Sequence, residues 1–371
     1  MRIAVTTSIL EVPPTYFVVD HARLMRAEHD FRVFSLAARL HHELDYPPVT
    51  DSLGLTSLPW SARRNLAPLA AHRMTSAIRR YSPDVVHQHF GTWSGPAISA
   101  AGSLGVPLVT TVHGYDVFAA LGTSRGALAR WHRRNVQASA SASARVLAVS
   151  RFLADRAIAA GFDSRRVQVH YQGIDTDVFT PPATADDSAA PIVLFVGSVS
   201  ERKGTAHLVE ASRAMAASVP HELIVIGRGP LQQELTNATR ADSHIRLLGQ
   251  LGRNEIRGWL QRATVLALPT RKYEGWQEAA GLVLLEAQAS GTPVVAYDSG
   301  GTAEMVEAGT TGLLVQEGDI AGFRESIAQV LALGGAEYAR MSEAARKFVV
   351  SQRSLQVSAQ QLLDHYADVP H

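Results

Sequence analysis

Glu278 and Glu286, with seven residues between them, bracket a turn that joins an apolar run, Ala263-Thr264-Val265-Leu266-Ala267-Leu268-Pro269, to a helix-like run ending near Ser290-Gly291. A strand, a polar loop and a helix start, in that order, aim unpaired backbone N–H groups at an anion. With the helix starting near Gly281, Glu286 lies about 7 Å further along its axis, at a rise of roughly 1.5 Å per residue. Two carboxylates on either side of an anion-binding turn suit one ligand with two hydroxyl-rich ends and an anionic middle, as in a nucleotide sugar. Either Glu alone is more often a solvated surface residue. The specificity lies in the pair and in the apolar helix between them.

Four further stretches carry residues that could take part in binding or chemistry. The strand-like run Ile192–Val196 enters Gly197-Ser198-Val199-Ser200-Glu201-Arg202-Lys203-Gly204, where a glycine-ended strand, a polar loop and adjacent cations make a diphosphate grip. It is not a Walker loop, because Lys203 is followed by Gly204-Thr205 and the spaced glycines are missing. Gly227-Arg228-Gly229-Pro230 ends the run Leu223–Ile226, but Gln232 occupies the place of the third glycine of a dinucleotide fingerprint. Thr111-Val112-His113-Gly114-Tyr115-Asp116 puts a histidine at a strand end, where imidazole can give or take a hydrogen bond from a sugar or phosphate. His87 and His89 share a strand face as a metal pair would, yet no third ligand suggests itself.

Taken together, Glu278-x7-Glu286 enclosing Gly281-Leu282-Val283-Leu284-Leu285, the Lys203-Gly204 loop, Gly227-x-Gly229-Pro230 and His113-Gly114-x-Asp116 resemble the family-4 retaining glycosyltransferases. Ala289-Ser290-Gly291-Thr292-Pro293, Gly300-Gly301-Thr302-Ala303-Glu304 and Gly312-Leu313-Leu314 extend the resemblance, which runs from about residue 85 to the end. His89-Phe90-Gly91 is similar to segments of exopolysaccharide-synthesis members.

The resemblance implies the GT-B fold, two Rossmann-like doubly wound α/β domains facing across a cleft. It also implies retaining transfer of a sugar from a nucleoside diphosphate, UDP or GDP, to an acceptor hydroxyl, without metal or cofactor. In its terms Glu286 holds the ribose and Glu278 the transferred sugar, while Gly197, Lys203 and the Gly281-Leu282-Val283 backbone face the diphosphate. Ser198 stands where the family usually has Arg, and Arg202 is the substitute cation. His113 approaches the donor sugar, and Tyr16 and Asp116 lie toward the acceptor, which would be a sugar, a lipid-linked glycan or a small molecule. A glycine-rich loop expected after the first strand is replaced by Ile9-Leu10-Glu11-Val12-Pro13-Pro14-Thr15-Tyr16. The alternative is a non-catalytic nucleotide-sugar binder or partner subunit on the same fold. A pyridoxal-dependent phosphorylase is disfavoured, because Lys203, Lys272 and Lys347 are the whole lysine set and none has a cofactor setting.

The elements that must position these groups follow from periodicity. Short apolar runs alternate with helical patterns, which argues for parallel sheets built of βαβ units. Strands are expected at Ile3–Thr6, Phe31–Ser35, Val85–His87, Leu108–Val112, Val146–Val149 and Val167–His170. In the second half they are expected at Ile192–Val196, Leu223–Ile226, Ile245–Leu247, Val265–Leu268 and Val294–Ala296. The Pro- and Ala-rich stretch 181–191 reads as a linker, so residues 1–180 form one domain and 181–351 the other, with a helix over about 352–371 returning to the first.

A chain of 371 residues suffices for two such cores. With no cysteine, disulfides and thiolate metal sites are excluded. The net charge of +1 hides an asymmetry, since residues 1–178 carry 19 Lys+Arg against 13 Asp+Glu. That basic half leaves room for a peripheral membrane contact, and residues 61–80 form an amphipathic candidate that Pro68 should break. No aromatic interleaving marks a nucleic-acid binder. No leader or membrane span is read, so the expected location is the cytoplasm.

Overall fold

A computed structural model describes residues 1–12, 15–40, 46–122, 125–183 and 190–369. The chain forms two compact units, residues 1–172 with 355–371 and residues 173–354. In the first unit the strands are β1 (Arg2–Val12), β2 (Asp30–Leu40), β3 (Val49–Asp51), β4 (Val85–His89), β5 (Leu108–Val112), β6 (Arg145–Ala148) and β7 (Val167–Val169). They build one parallel sheet in the order β3-β2-β1-β4-β5-β6-β7. All residues of β4 and β5 are buried, as a parallel sheet covered by helices on both faces requires.

The second unit holds β8 (Ile192–Val196), β9 (Glu222–Ile226), β10 (Ile245–Gly249), β11 (Val265–Leu268), β12 (Val294–Asp298) and β13 (Gly312–Gln316), parallel in the order β10-β9-β8-β11-β12-β13. Both orders reverse direction at the first strand, between β1 and β4 and between β8 and β11. At such a switch point the neighbouring strand-end loops diverge and leave a ligand crevice at the carboxyl ends.

The structure departs from the sequence reading in a few places. β1 runs on to Val12 because β2 continues beside it as far as Leu40. Glu11 on that extension pairs with Arg39 and accepts from Trp60 Nε1 at 2.9 Å. β3 and β13, both edge strands, are not among the expected strands; β3 has one apolar residue in three, and the short apolar run Leu313-Leu314-Val315 of β13 lies between Gly312 and Gln316. The chain leaves the first unit at Gln172, ahead of the expected linker. The segment after it is tied to the second unit: Ile174 N donates to Arg353 O at 2.8 Å, and Arg346 donates to Phe179 O at 2.6 Å and Thr176 O at 2.9 Å. Most of the expected linker, residues 184–189, lies outside the described residues.

The return helix Leu355–Ala367 buries Ala359, Leu362 and Tyr366 against Ile3, Val5, Val33 and Val85. Residues 61–80 divide at Pro68 into the helix Trp60–Leu66, a 3-10 turn Ala67–Ala70 and the helix Ala71–Tyr81. Ala70, Met74 and Ile78 pack on Phe34, Leu36 and Val86, so the apolar stripe of this segment covers its own sheet, and Leu69 alone of it is largely exposed. Among the described residues no helix is long and apolar enough to cross a membrane.

Candidate active site

In the second unit the two motifs that flank the switch point come together. After β8 the backbone passes Gly197 and Ser198 into the 3-10 turn Glu201–Lys203, and after β11 it passes Glu278 into the helix Leu282–Ala289. Lys203 Nζ and the Glu278 carboxylate form an ion pair, with only 15% and 18% of the two side chains exposed. Burial alone would raise the Glu278 carboxyl. The Lys203 ammonium against it, and the Arg202 charge beyond, outweigh that and hold it below the usual carboxylate range, so it is ionised at neutral pH.

Close backbone contacts lock the two loops together. Gly204 sits at φ 65°, and a Cβ there would stand 2.0 Å from Pro269 O, the residue that ends the β11 turn. Gly300, at φ 65°, lies so close under Glu278 that a Cβ would meet its carbonyl oxygen at 2.3 Å, while Gly301 N donates to that oxygen at 2.8 Å. Arg271 N donates to Arg202 O at 2.9 Å, and its guanidinium holds Glu201 Oε2 at 2.5 Å. Gly227 N donates to Gly249 O at 2.7 Å, and Val199 N to Arg228 O at 3.2 Å, so the Gly-Arg-Gly-Pro turn supports the Ser198 loop through its backbone.

Gly281, at φ 86°, precedes the first turn of the helix, whose Leu282 and Val283 are partly exposed there. Glu286 is half-buried one turn further along. Arg202 turns its guanidinium over the Trp276 ring, 5.9 Å from the centroid, and forms no ion pair with Glu278. Ser198, Arg202 and Trp276 line one recess. The supports from Gly300, Arg271 and Pro269 were not legible as site-builders. Gly300-Gly301 stood out only as a landmark, and what it touches depends on the fold.

In the first unit His113 follows β5 and is fixed at both ring nitrogens. Gln172 Nε2 lies 3.2 Å from its Nδ1, and His89 Nδ1 lies 3.0 Å from its Nε2. The Gln172 amide nitrogen can only donate, so Nδ1 of His113 accepts and its Nε2–H donates to His89. Phe17 and Phe90 flank the ring at 4.6 and 4.5 Å between centroids. Any ligand group that reaches this imidazole must therefore compete with Gln172 or His89.

His87, considered as half of a metal pair, is spent on Tyr366 Oη at 2.6 Å and Thr111 Oγ1 at 2.7 Å. Among the described residues no group of three or more metal-ligating side chains assembles. Tyr16 opens a short 3-10 helix and is half-buried against the core of this unit. Asp116, expected toward the acceptor, is instead wholly buried. It accepts backbone N–H groups from His113, Gly114, Val117 and Gly91, each at 3.1 Å. It is a buried clamp between the His113 and Gly91 loops. Burial raises its carboxyl even against those four donors.

The histidines make the first unit sensitive to acid. Burial lowers His21 to about 4 and, with a further contribution from His21, lowers His89 to about 3. Burial, then the neighbouring His89, His170 and His21, holds His113 well below 6.5. A folded-state pKa depressed below the unfolded value means that the unfolded chain takes up protons first, so stability falls as pH drops below about 6.5. Asp116 works the other way, but only near and below the range of its raised pKa. Each histidine that stays neutral loses about 1.4 kcal/mol per pH unit. Urea unfolding at pH 5.5 is expected to show a protein less stable by ~2 kcal/mol or more than at pH 7.5, a difference reduced in His21→Asn.

Family models cover both units: one described as Glycosyltransferase Family 4 matches residues 16–178, and one described as Glycosyl transferases group 1 matches residues 190–332. The chain is 33% identical to the alpha-maltose-1-phosphate synthase of Mycolicibacterium smegmatis over 62% of its own length, and the match spans 64% of the length of that relative. It is 29% identical to a GDP-mannose-dependent alpha-mannosyltransferase of the same organism, with 98% of this chain and 93% of the other covered. Anabaena HepE, crystallised with UDP and glucose, has the same fold, with a TM-score of 0.77 at 19% identity and 99% of each chain covered. Two parallel Rossmann-like sheets, each with its own family match, define a GT-B protein, and the chain belongs to glycosyltransferase family 4.

Proposed function

We propose that the protein transfers a sugar from a nucleoside-diphosphate donor, a UDP- or GDP-sugar, to an acceptor hydroxyl with retention of configuration and without a metal, in the synthesis of a glycan or a glycosylated natural product. The observation that carries this reading is the part-buried Lys203–Glu278 pair beside the start of the helix Leu282–Ala289. Lys203 and the Gly281–Val283 backbone would neutralise the departing diphosphate, where charge develops and electrostatic help lowers the barrier most. Glu278, kept ionised, would hold the transferred sugar, and Glu286, further along the helix, the ribose. His113, neutral and fixed in one tautomer, would act through position. The mannosyltransferase relative and the UDP and glucose bound to HepE support a nucleotide-sugar donor.

A thermal-shift screen against UDP, GDP and their sugars, with and without EDTA, tests the reading. A ligand at about 100 times its dissociation constant stabilises by about 2.7 kcal/mol. The expected result is a higher Tm with one base only, unchanged by EDTA and lost in Glu286→Ala. No shift with any nucleotide would sink the donor assignment. Binding without transfer to any acceptor would favour the non-catalytic alternative, for which the Arg-to-Ser replacement at Ser198 is the motivating feature.

A further inference from the structure

The segment between β11 and Glu278 holds a tight hairpin that the proposed chemistry does not use. Tyr273 N donates to Trp276 O at 2.9 Å and Trp276 N to Tyr273 O at 2.8 Å, and the two residues between them, Glu274 at φ 48° and Gly275 at φ 82°, are both left-handed. This is a two-residue hairpin turn of the primed kind, which sets its flanking residues directly opposite one another. Tyr273 and Trp276 are thus presented together on a rigid support, and Tyr273 is 39% exposed.

Together they form one wall of a recess of about 420 Å³. Pro230 and Leu231 add apolar lining, and Ser198, Ser200 and Arg202 supply polar groups. The volume falls within the roughly 300–1,000 Å³ of small-molecule sites and suits one ring with its substituents. The charge is uneven. Glu201, the acid at the rim, is neutralised by Arg271, with Nη2 to Oε2 at 2.5 Å. No carboxylate among the described residues lies within 4.0 Å of the Arg202 guanidinium, which rests above Trp276. The recess is therefore lined by an aromatic pair, two apolar residues, two hydroxyls and one cation that forms no ion pair among the described residues.

Those features select a ring with an apolar C–H face, a hydroxyl edge and a negative charge. The electron-rich aromatic faces take the C–H side, and guanidinium pairs with a planar acid through parallel N–H donors. We infer that this recess is a subsite for a pyranose that bears an acid group, of the uronic acid class, stacked on Tyr273 and Trp276 with its carboxylate on Arg202. The inference rests on the sugar-transfer reading, since it names the class of sugar that the same protein handles. The ring belongs either to the donor or to the acceptor glycan. Ser198 fits this arrangement, because an arginine in its place would add a second bulky cation to the recess.

The test is saturation-transfer NMR and calorimetric titration of the full chain with methyl glucuronide and methyl glucoside, with and without saturating UDP or GDP. The glucuronide is expected to bind at least fivefold more tightly than the glucoside. Trp276→Ala should weaken both about tenfold while Trp276→Phe restores most of the loss, and Arg202→Gln should bring the glucuronide down to the level of the glucoside. Competition by UDP-glucuronate but not by UDP assigns the ring to the donor, and simultaneous binding assigns it to the acceptor.

Equal affinity for the two sugars, indifference to Trp276→Ala in a variant with wild-type melting, or displacement by the bare nucleotide would each overturn the subsite. Loss of all nucleotide binding with the glucuronide preference intact would instead count against the donor assignment above. The two failures are therefore separable.

Discussion

Lys203→Ala is expected to lower turnover about a hundredfold while the fold survives. In the wild type the ammonium does two things at once: it partners a part-buried carboxylate, and in the proposed function it faces the departing diphosphate. Removing one member of a buried ion pair leaves the other uncompensated and costs ~3 kcal/mol, where losing an exposed pair would cost less than ~1 kcal/mol. Without the Lys203 charge, burial acts on Glu278 unopposed except by the more distant Arg202, so its pKa rises toward and past the ordinary carboxylate range.

Two measurements follow. Single-turnover kinetics with the donor identified by the thermal-shift screen should show the loss in the chemical step. The pH profile of the variant should gain a limb in the mildly acidic range that the wild type lacks, as Glu278 protonates. Lys203→Arg, which keeps the charge but changes its shape, should recover part of the rate. Wild-type rates in Lys203→Ala would remove the residue from the diphosphate site and leave it as a structural partner of Glu278.

The second large effect is expected from a single methyl group. Gly204→Ala puts a Cβ at φ 65°, 2.0 Å from the carbonyl oxygen of Pro269, so the β8 and β11 loops must separate to admit it. Neither obstacle can yield by a side-chain rotation, because one is backbone conformation and the other a backbone atom. The variant should lose roughly 3–5 kcal/mol in urea unfolding, the range reserved for strain and overpacking at a special backbone position. Any folded fraction should bind nucleotide poorly, since Lys203 precedes the displaced residue.

Gly102→Ala is the control. It lies inside the helix Gly95–Leu104, with nothing within 4 Å of an added Cβ. There the expectation is no loss and a gain of about 0.5–1 kcal/mol, because alanine is the better helix former. Equal behaviour of the two substitutions would show that the loops are not locked as described.

Much of the architecture was legible in local pattern. Runs such as Leu108–Val112 and Val265–Leu268 are buried on both faces, so their apolar character survives in the sequence as an uninterrupted block, and every expected strand is present. The glycine-ended strand before Lys203 and the helix that begins after Gly281 were readable because backbone demands and helix starts leave signatures within a few residues.

Which atoms meet was decided in three dimensions. Glu278 follows Lys203 at a distance of 75 residues in the chain, and only the β8–β11 pairing makes them neighbours. Asp116 looked available because a strand-end acid often is. It proved to be a buried clamp because the Gly91 loop, which follows β4, folds against it. Gln172 carries no motif at all, yet it sets the tautomer of His113.

The sequence by itself determined the strand and helix alternation, the two-unit plan and the family, all of which rest on periodicity and on residue types at short spacing. The tertiary structure alone decided the ion pairs, the tautomers, the direction of Arg202 and the recess beside Trp276. These depend on long-range contacts through space, and the local pattern of a chain does not encode which distant partner a side chain will find.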